Sequence, residues 1–171
     1  MHPTVFDNLK TVLEGSIYDF ENQDILEVCS RDDLVDLANL TRTFRLGVEF
    51  TSIFGEIELN FPEPMWVDEL VFTREDVKTE LKFTFRLPKS LHGIGYLQWY
   101  KLIQKKLWNV NVELTEKKIF GKDQIQINQK LHVAFKEGIR EMDVDRLIVI
   151  VNHFVYIGEK IEQMHKEVEQ K

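Results

Sequence analysis

Two hydrophobic periods alternate along this chain, and their order predicts the fold. Phe6, Leu9, Leu13, Ile17 and Phe20 recur at three- and four-residue steps, the spacing of one apolar helix face, with Gly15 as a stop or weak point. Ser30-Arg31-Asp32-Asp33 offers a hydroxyl cap followed by carboxylates, which suits the positive end of a second helix running to about Leu40. At Thr43 the period drops to two. Phe44, Leu46, Val48 and Phe50 alternate with Arg45, Gly47 and Glu49, and Ile57, Leu59 and Phe61 alternate with Glu56, Glu58 and Asn60. Joined through Ser52-Ile53-Phe54-Gly55, these runs predict a hairpin with one dry and one wet face. Pro62 and Pro64 have no amide hydrogen with which to continue the ladder, and Trp66 to Phe72 fits a short edge strand.

A third strand places Leu81, Phe83, Phe85 and Leu87 inward, and Pro88 ends it. Gly93 to Leu107 reads as a helix whose core stripe is Tyr96, Tyr100, Ile103 and Leu107, with Leu97 beside it and Trp99 and Leu102 widening the apolar arc. Val110, Val112 and Leu114 open a fourth strand, and Gly121-Lys122 marks a turn. A fifth strand puts Ile125, Ile127, Leu131, Val133 and Phe135 on one side and Gln126, Asn128, Lys130 and His132 on the other. Asp143 is placed to cap a last helix through Leu147, Val151, Phe154, Gly158, Ile161 and Val168. Residues 147–157 are rich enough in β-branched side chains to suit a buried strand, but regular spacing beyond Gly158 favours the helix.

The predicted class is therefore α+β: an antiparallel sheet of about five strands with helices packed on one face, in a single domain spanning 1–171. The order is helix, helix, three strands, helix, two strands and a long C-terminal helix. From the first hairpin to the last helix this order resembles the small α+β fold of type III secretion chaperones and of YbjN-like bacterial proteins. The resemblance implies a dimeric binder of other polypeptides.

Charge adds a second layer, because it is sorted along the chain. Residues 1–77 carry 17 acidic and 5 basic side chains, residues 78–136 carry 4 and 12, and residues 137–171 carry 8 and 5, for nets of −12, +8 and −3. Such sorting implies attraction within the fold, between copies, or toward a charged partner. The structural account sets Glu56 and Glu58 on one strand across from Lys82 and Arg86 on the next. The lone Cys29 cannot form an intrachain disulfide, and the start of the chain lacks a basic, apolar leader. The longest aliphatic run, Leu147 to Val151, is too short to cross a bilayer, so the expectation is a cytoplasmic protein without a membrane span.

Specific chemistry is sparse. Among histidines 2, 92, 132, 153 and 165, only Glu162-x-x-His165 has one-turn metal-ligand spacing, and alone it is half a site. His92-Gly93-Ile94-Gly95 precedes a helix but lacks the third glycine and the lysine of known phosphate loops. Cys29, with Leu26 and Val28 before it, reads as a small core residue. No catalytic, cofactor or metal residue is assigned, and no cofactor is expected. The apolar surplus of the last helix is the stronger signal. Val149, Ile150, Val155 and Ile157, extended by Trp99 and Leu102, are the expected interface of a homodimer. The leading functional reading is a non-catalytic domain that binds another protein or itself. Its first rival is a small enzyme or ligand-binding domain with a pocket near His92 and Tyr96. A second is nucleic-acid binding through Lys89, Lys101, Lys105, Lys106, Lys117, Lys118 and Lys122, against which the acidic total weighs.

Overall fold

In the computed structural model, which describes residues 4–61 and 78–171, helix α1 (Val5–Glu21) leads into the strands β1 (Glu27–Asp36), β2 (Thr41–Phe50), β3 (Ile53–Phe61) and β4 (Glu80–Leu87). A crossover through α2 (Tyr96–Gln104) reaches β5 (Val110–Phe120) and β6 (Ile125–Phe135), and α3 (Val144–Glu169) follows. The six strands form one sheet in the order β1-β2-β3-β4-β6-β5, antiparallel at every junction. The α+β class holds, with one strand more and one helix fewer among the described residues than the periodicity predicts. Pro62, Pro64 and the Trp66 to Phe72 segment lie outside the described residues.

The difference lies at residues 30–36, where β1 stands in place of the expected second helix. As an outer strand with one neighbour, β1 buries little, and only Val28 and Asp33 are half-buried, so no alternation marks it. Its carboxylates answer to side-chain cations rather than to a helix end. Asp33 receives Lys10 Nζ at 2.7 Å and both Arg42 Nε and Nη2 at 3.2 Å, while Arg42 Nη2 also reaches Asp7 on α1 at 2.9 Å. The Arg42 guanidinium lies over the Phe6 ring at 4.6 Å. This cluster pins α1 to the β1–β2 end of the sheet. Gly15 is no stop: α1 runs through it to Glu21, and the Thr4 side chain accepts the Asp7 amide at its start.

All three helices of the described chain cover the same sheet face, meeting Phe44, Leu46, Ile57, Leu59, Leu81, Phe83 and Leu131 in one contiguous core. Along the middle strands α3 sits unusually close. A Cβ on Gly158 would stand 2.3 Å from the Phe50 ring, and one on Gly55 would stand 3.1 Å from Phe154 and from Phe85. These absent side chains let Phe154 settle among Phe83, Phe85 and Phe50, with ring centroids 5.0, 5.1 and 6.1 Å away. Nearer its end, α3 offers Glu162, whose carboxylate accepts the Ser52 amide at 3.0 Å and hydroxyl at 2.7 Å, fastening the β2–β3 turn. At the start of α3, Asp143 holds the N-cap position without capping. Its carboxylate takes the amide and guanidinium of Arg140 instead.

Candidate interaction surface

The sheet's second face carries no helix among the described residues, and its charges pair laterally. Asp32, Arg45, Glu58 and Lys82 stand opposite one another on β1 to β4, alternating in sign. Arg45 Nε meets Glu58 at 2.6 Å, and Lys82 lies 3.8 Å from the same carboxylate. Here the acidic and basic halves of the chain meet, as the expected pairing of Glu58 with Lys82 requires. The other expected pair does not form: Glu56 faces Thr84, and Arg86 lays its guanidinium on the Phe54 ring at 4.1 Å, directly across from a second cation, Lys130.

On the basic side of this face, His132 is held between two hydroxyls, Thr84 at 3.1 Å from Nδ1 and Thr115 at 3.0 Å from Nε2. Burial, with Lys82 adding to it, holds the imidazole below its ordinary pKa, so the ring is neutral near pH 7 and one threonine donates while the other accepts. Glu113 lies opposite His132 on β5. Such a clamped ring fixes β4, β6 and β5 to one another.

The two outer strands differ. β1 carries a bulge between Val28 and Ser30, where Cys29 is exposed, and it projects Asp32, Asp33 and Asp36. Burial, followed by the charge of Glu49, holds the Cys29 thiol above its ordinary pKa, the wrong direction for a nucleophile. β5, by contrast, pairs with β6 in unbroken register over all 11 residues, and its other side is unpaired among the described residues. Large apolar side chains gather around it. Trp108 just before β5 is 86% exposed, Phe120 at its end 75%, and Ile125 across the turn 59%.

Helix α2 lies against β5 and adds to the same side. Trp99 and Ile103 of α2 and Leu107 just after it are buried, whereas Tyr96, Leu97 and Tyr100 are exposed, so the predicted core stripe holds at Ile103 and Leu107 and is corrected at its start. The indole is the larger apolar body, and burying it rotates the helix away from the predicted phase. Gln98, Leu102 and Lys105 share an apolar groove with Met164 of α3. Helical spacing therefore puts Tyr96 and Tyr100 on the opposite flank of α2, away from the groove shared with α3.

Four of the six residues assigned to a dimer interface are instead spent inside the chain. Trp99 is fully buried, and Ile150, Val155 and Ile157 are buried between α3 and its neighbours. A sheet of six strands and the packed α1 supply the cover that five strands would have lacked. Of the set, Val149 is exposed and Leu102 is half-buried in the α2–α3 groove. Glu162 and His165 do not converge: Glu162 serves Ser52, and His165 Nδ1 meets the Ser90 hydroxyl at 2.7 Å. His92 Nε2 lies 3.1 Å from the Leu87 carbonyl, away from exposed Tyr96. The lysines also separate, since neighbouring Lys117 and Lys118 project from opposite faces of β5. Among the described residues, no group of three or more His, Cys, Asp or Glu side chains is disposed to hold a metal ion, and no helix is long and apolar enough to cross a membrane.

Comparison with known proteins assigns no family. No family model, no curated protein and no solved structure matches the chain, so the resemblance in element order gains no support from it.

Proposed function

We propose that this chain is a non-catalytic cytoplasmic module that binds polypeptide through the side formed by β5 and α2. The observation that carries the reading is the outer edge of β5, unpaired among the described residues, in unbroken register with β6 over its whole length and flanked by exposed Trp108 and Phe120. An added strand would gain main-chain hydrogen bonds from such an edge, while the apolar groups beside it would bury against the partner's side chains. The His132 clamp supports this role, because an edge held to its neighbours by side chains as well as by the ladder loses less freedom on binding.

A photo-reactive residue at position 120, compared with one at position 37, tests the reading in the native host. Leu37 in the β1–β2 turn is 77% exposed, matching the 75% of Phe120, so exposure alone predicts equal yields. Cross-linking to polypeptide at Phe120 well above that at Leu37 is expected. Equal yields, or none at Phe120, would refute the proposal.

A further inference from the structure

We infer that the polypeptide taken up by β5 is a second copy of this chain, paired antiparallel to the first about a two-fold axis through Thr115. The inference rests on the reading of β5 as a binding edge and names its occupant. A two-fold axis perpendicular to the sheet keeps both open faces on one side, so each residue must meet one of the same facing across the junction. β5 runs from Val110 to Phe120, and its midpoint is Thr115. Full-length pairing is thus the register in which Thr115 meets itself.

In that same register opposite charges meet. Glu113 of each copy falls opposite Lys117 of the other on the open face, giving two opposed-sign pairs. On the helix side, Val110 meets Phe120, which supplies cover for a ring that is 75% exposed. Shifting the centre by one residue either way loses both charge pairs. Among the described residues, neither Glu113 nor Lys117 has an ion-pair partner within its own chain.

β1 offers no comparable arrangement. Its bulge interrupts the register, and its acidic excess would face itself in a symmetric pairing. Area also favours participation by α2. A stable dimer covers about 800 Å² on each partner, more than a strand edge supplies. Exposed Tyr96 and Tyr100, on the helix that lies against β5, would add to the covered area.

Sedimentation equilibrium on the full chain, from micromolar to near-millimolar concentration, is the direct test. A mass of twice 20.3 kDa is expected at the upper end. Glu113→Lys or Lys117→Glu alone should weaken the dimer about tenfold or more, since each places like charges together twice, and the double exchange should restore it. Register is read separately in a Cys29→Ser background. Thr115→Cys should form a disulfide across the axis on oxidation, because facing Cα atoms about 4.5–5.5 Å apart lie within disulfide reach. Glu113→Cys in the same background should not. A chain that stays at 20.3 kDa throughout, or a dimer indifferent to the charge exchange and uncross-linked at position 115, overturns the inference. If a monomeric chain still cross-links to another polypeptide at Phe120, the binding edge survives and only its occupant is wrong. If both experiments fail, the edge itself is rejected.

Discussion

β1 and β5 are both long, both charged and, among the described residues, both paired on one side only, yet they are finished in opposite ways. β1 is broken by a bulge, carries an acidic excess and is tied to α1 through Asp33, Arg42, Lys10 and Asp7. β5 has no bulge, mixes two acids with two lysines, and ends in an exposed phenylalanine. Bulges, charge of one sign and covering elements are the means by which sheets avoid pairing with other chains. Among the described residues one edge of the sheet uses them and the other does not. Two termini of one sheet thus separate a strand built to end the ladder from one suited to continue it.

The largest effect should come from undermining the support of the β5 side. Trp99 is the fully buried anchor of α2, and Trp99→Ala should cost about 3–5 kcal/mol in chemical denaturation. A loss below about 1 kcal/mol would show that α2 is held by other contacts. On the β1 side, Arg42→Ala leaves two carboxylates without their shared guanidinium and should cost about 2 kcal/mol. The matched change at the other edge, Lys118→Ala, removes an exposed pair with Glu116 and should cost less than about 0.5 kcal/mol in the monomer. Equal losses from the two changes would erase the distinction between a fastened and an unfastened edge.

Acid should reach the two sides at different pH. Burial and then Lys82 lower the pKa of His132, so the folded state favours the neutral ring. Its contribution is complete above the usual histidine value of about 6.5 and is lost as pH falls below that, until the lower native value is passed. Asp33 behaves in the carboxylate manner. Burial alone would raise its pKa, but hydrogen bonds from Arg42 and Lys10 outweigh it and the net shift is downward. Its contribution is therefore intact above about pH 4 and disappears as pH falls through the lower native value. Urea midpoints measured across this range should decline in two stages. His132→Gln should shrink the first, leaving the share of His153, whose pKa is also lowered by burial and then by Lys106. An unchanged first stage would show that the threonine clamp contributes nothing.

The strands with one dry face were plain in the sequence, and those without it were not. β2, β3, β4 and β6 alternate because every second side chain enters the core, as Phe44, Ile57, Phe83 and Leu131 do. β1 is wet on both faces, so Ser30-Arg31-Asp32-Asp33 looked like a helix start when its acids were meant for Lys10 and Arg42. Helix phase failed for a different reason. α2 carries apolar groups at Tyr96, Leu97, Trp99, Tyr100, Leu102 and Ile103, nearly all round, and only the neighbouring strands decide which of them turn inward. The same ambiguity assigned Ile150, Val155 and Ile157 to an outer surface. Among the described residues the open surface runs along β5, because β6 pairs with β4 and leaves β5 outermost, an order that no side-chain period encodes.

That strand order also governs how the chain comes together during synthesis. β4 finds its second neighbour in β6, which follows only after α2 and β5 have been made, so a growing chain holds a meander with one bare flank until Ile125 to Phe135 has left the ribosome. The hairpin that fills the gap must arrive whole, with its turn already closed. Translation stalled anywhere between Leu87 and Ile125 would leave β4, rather than β5, as the sticky margin of the nascent protein.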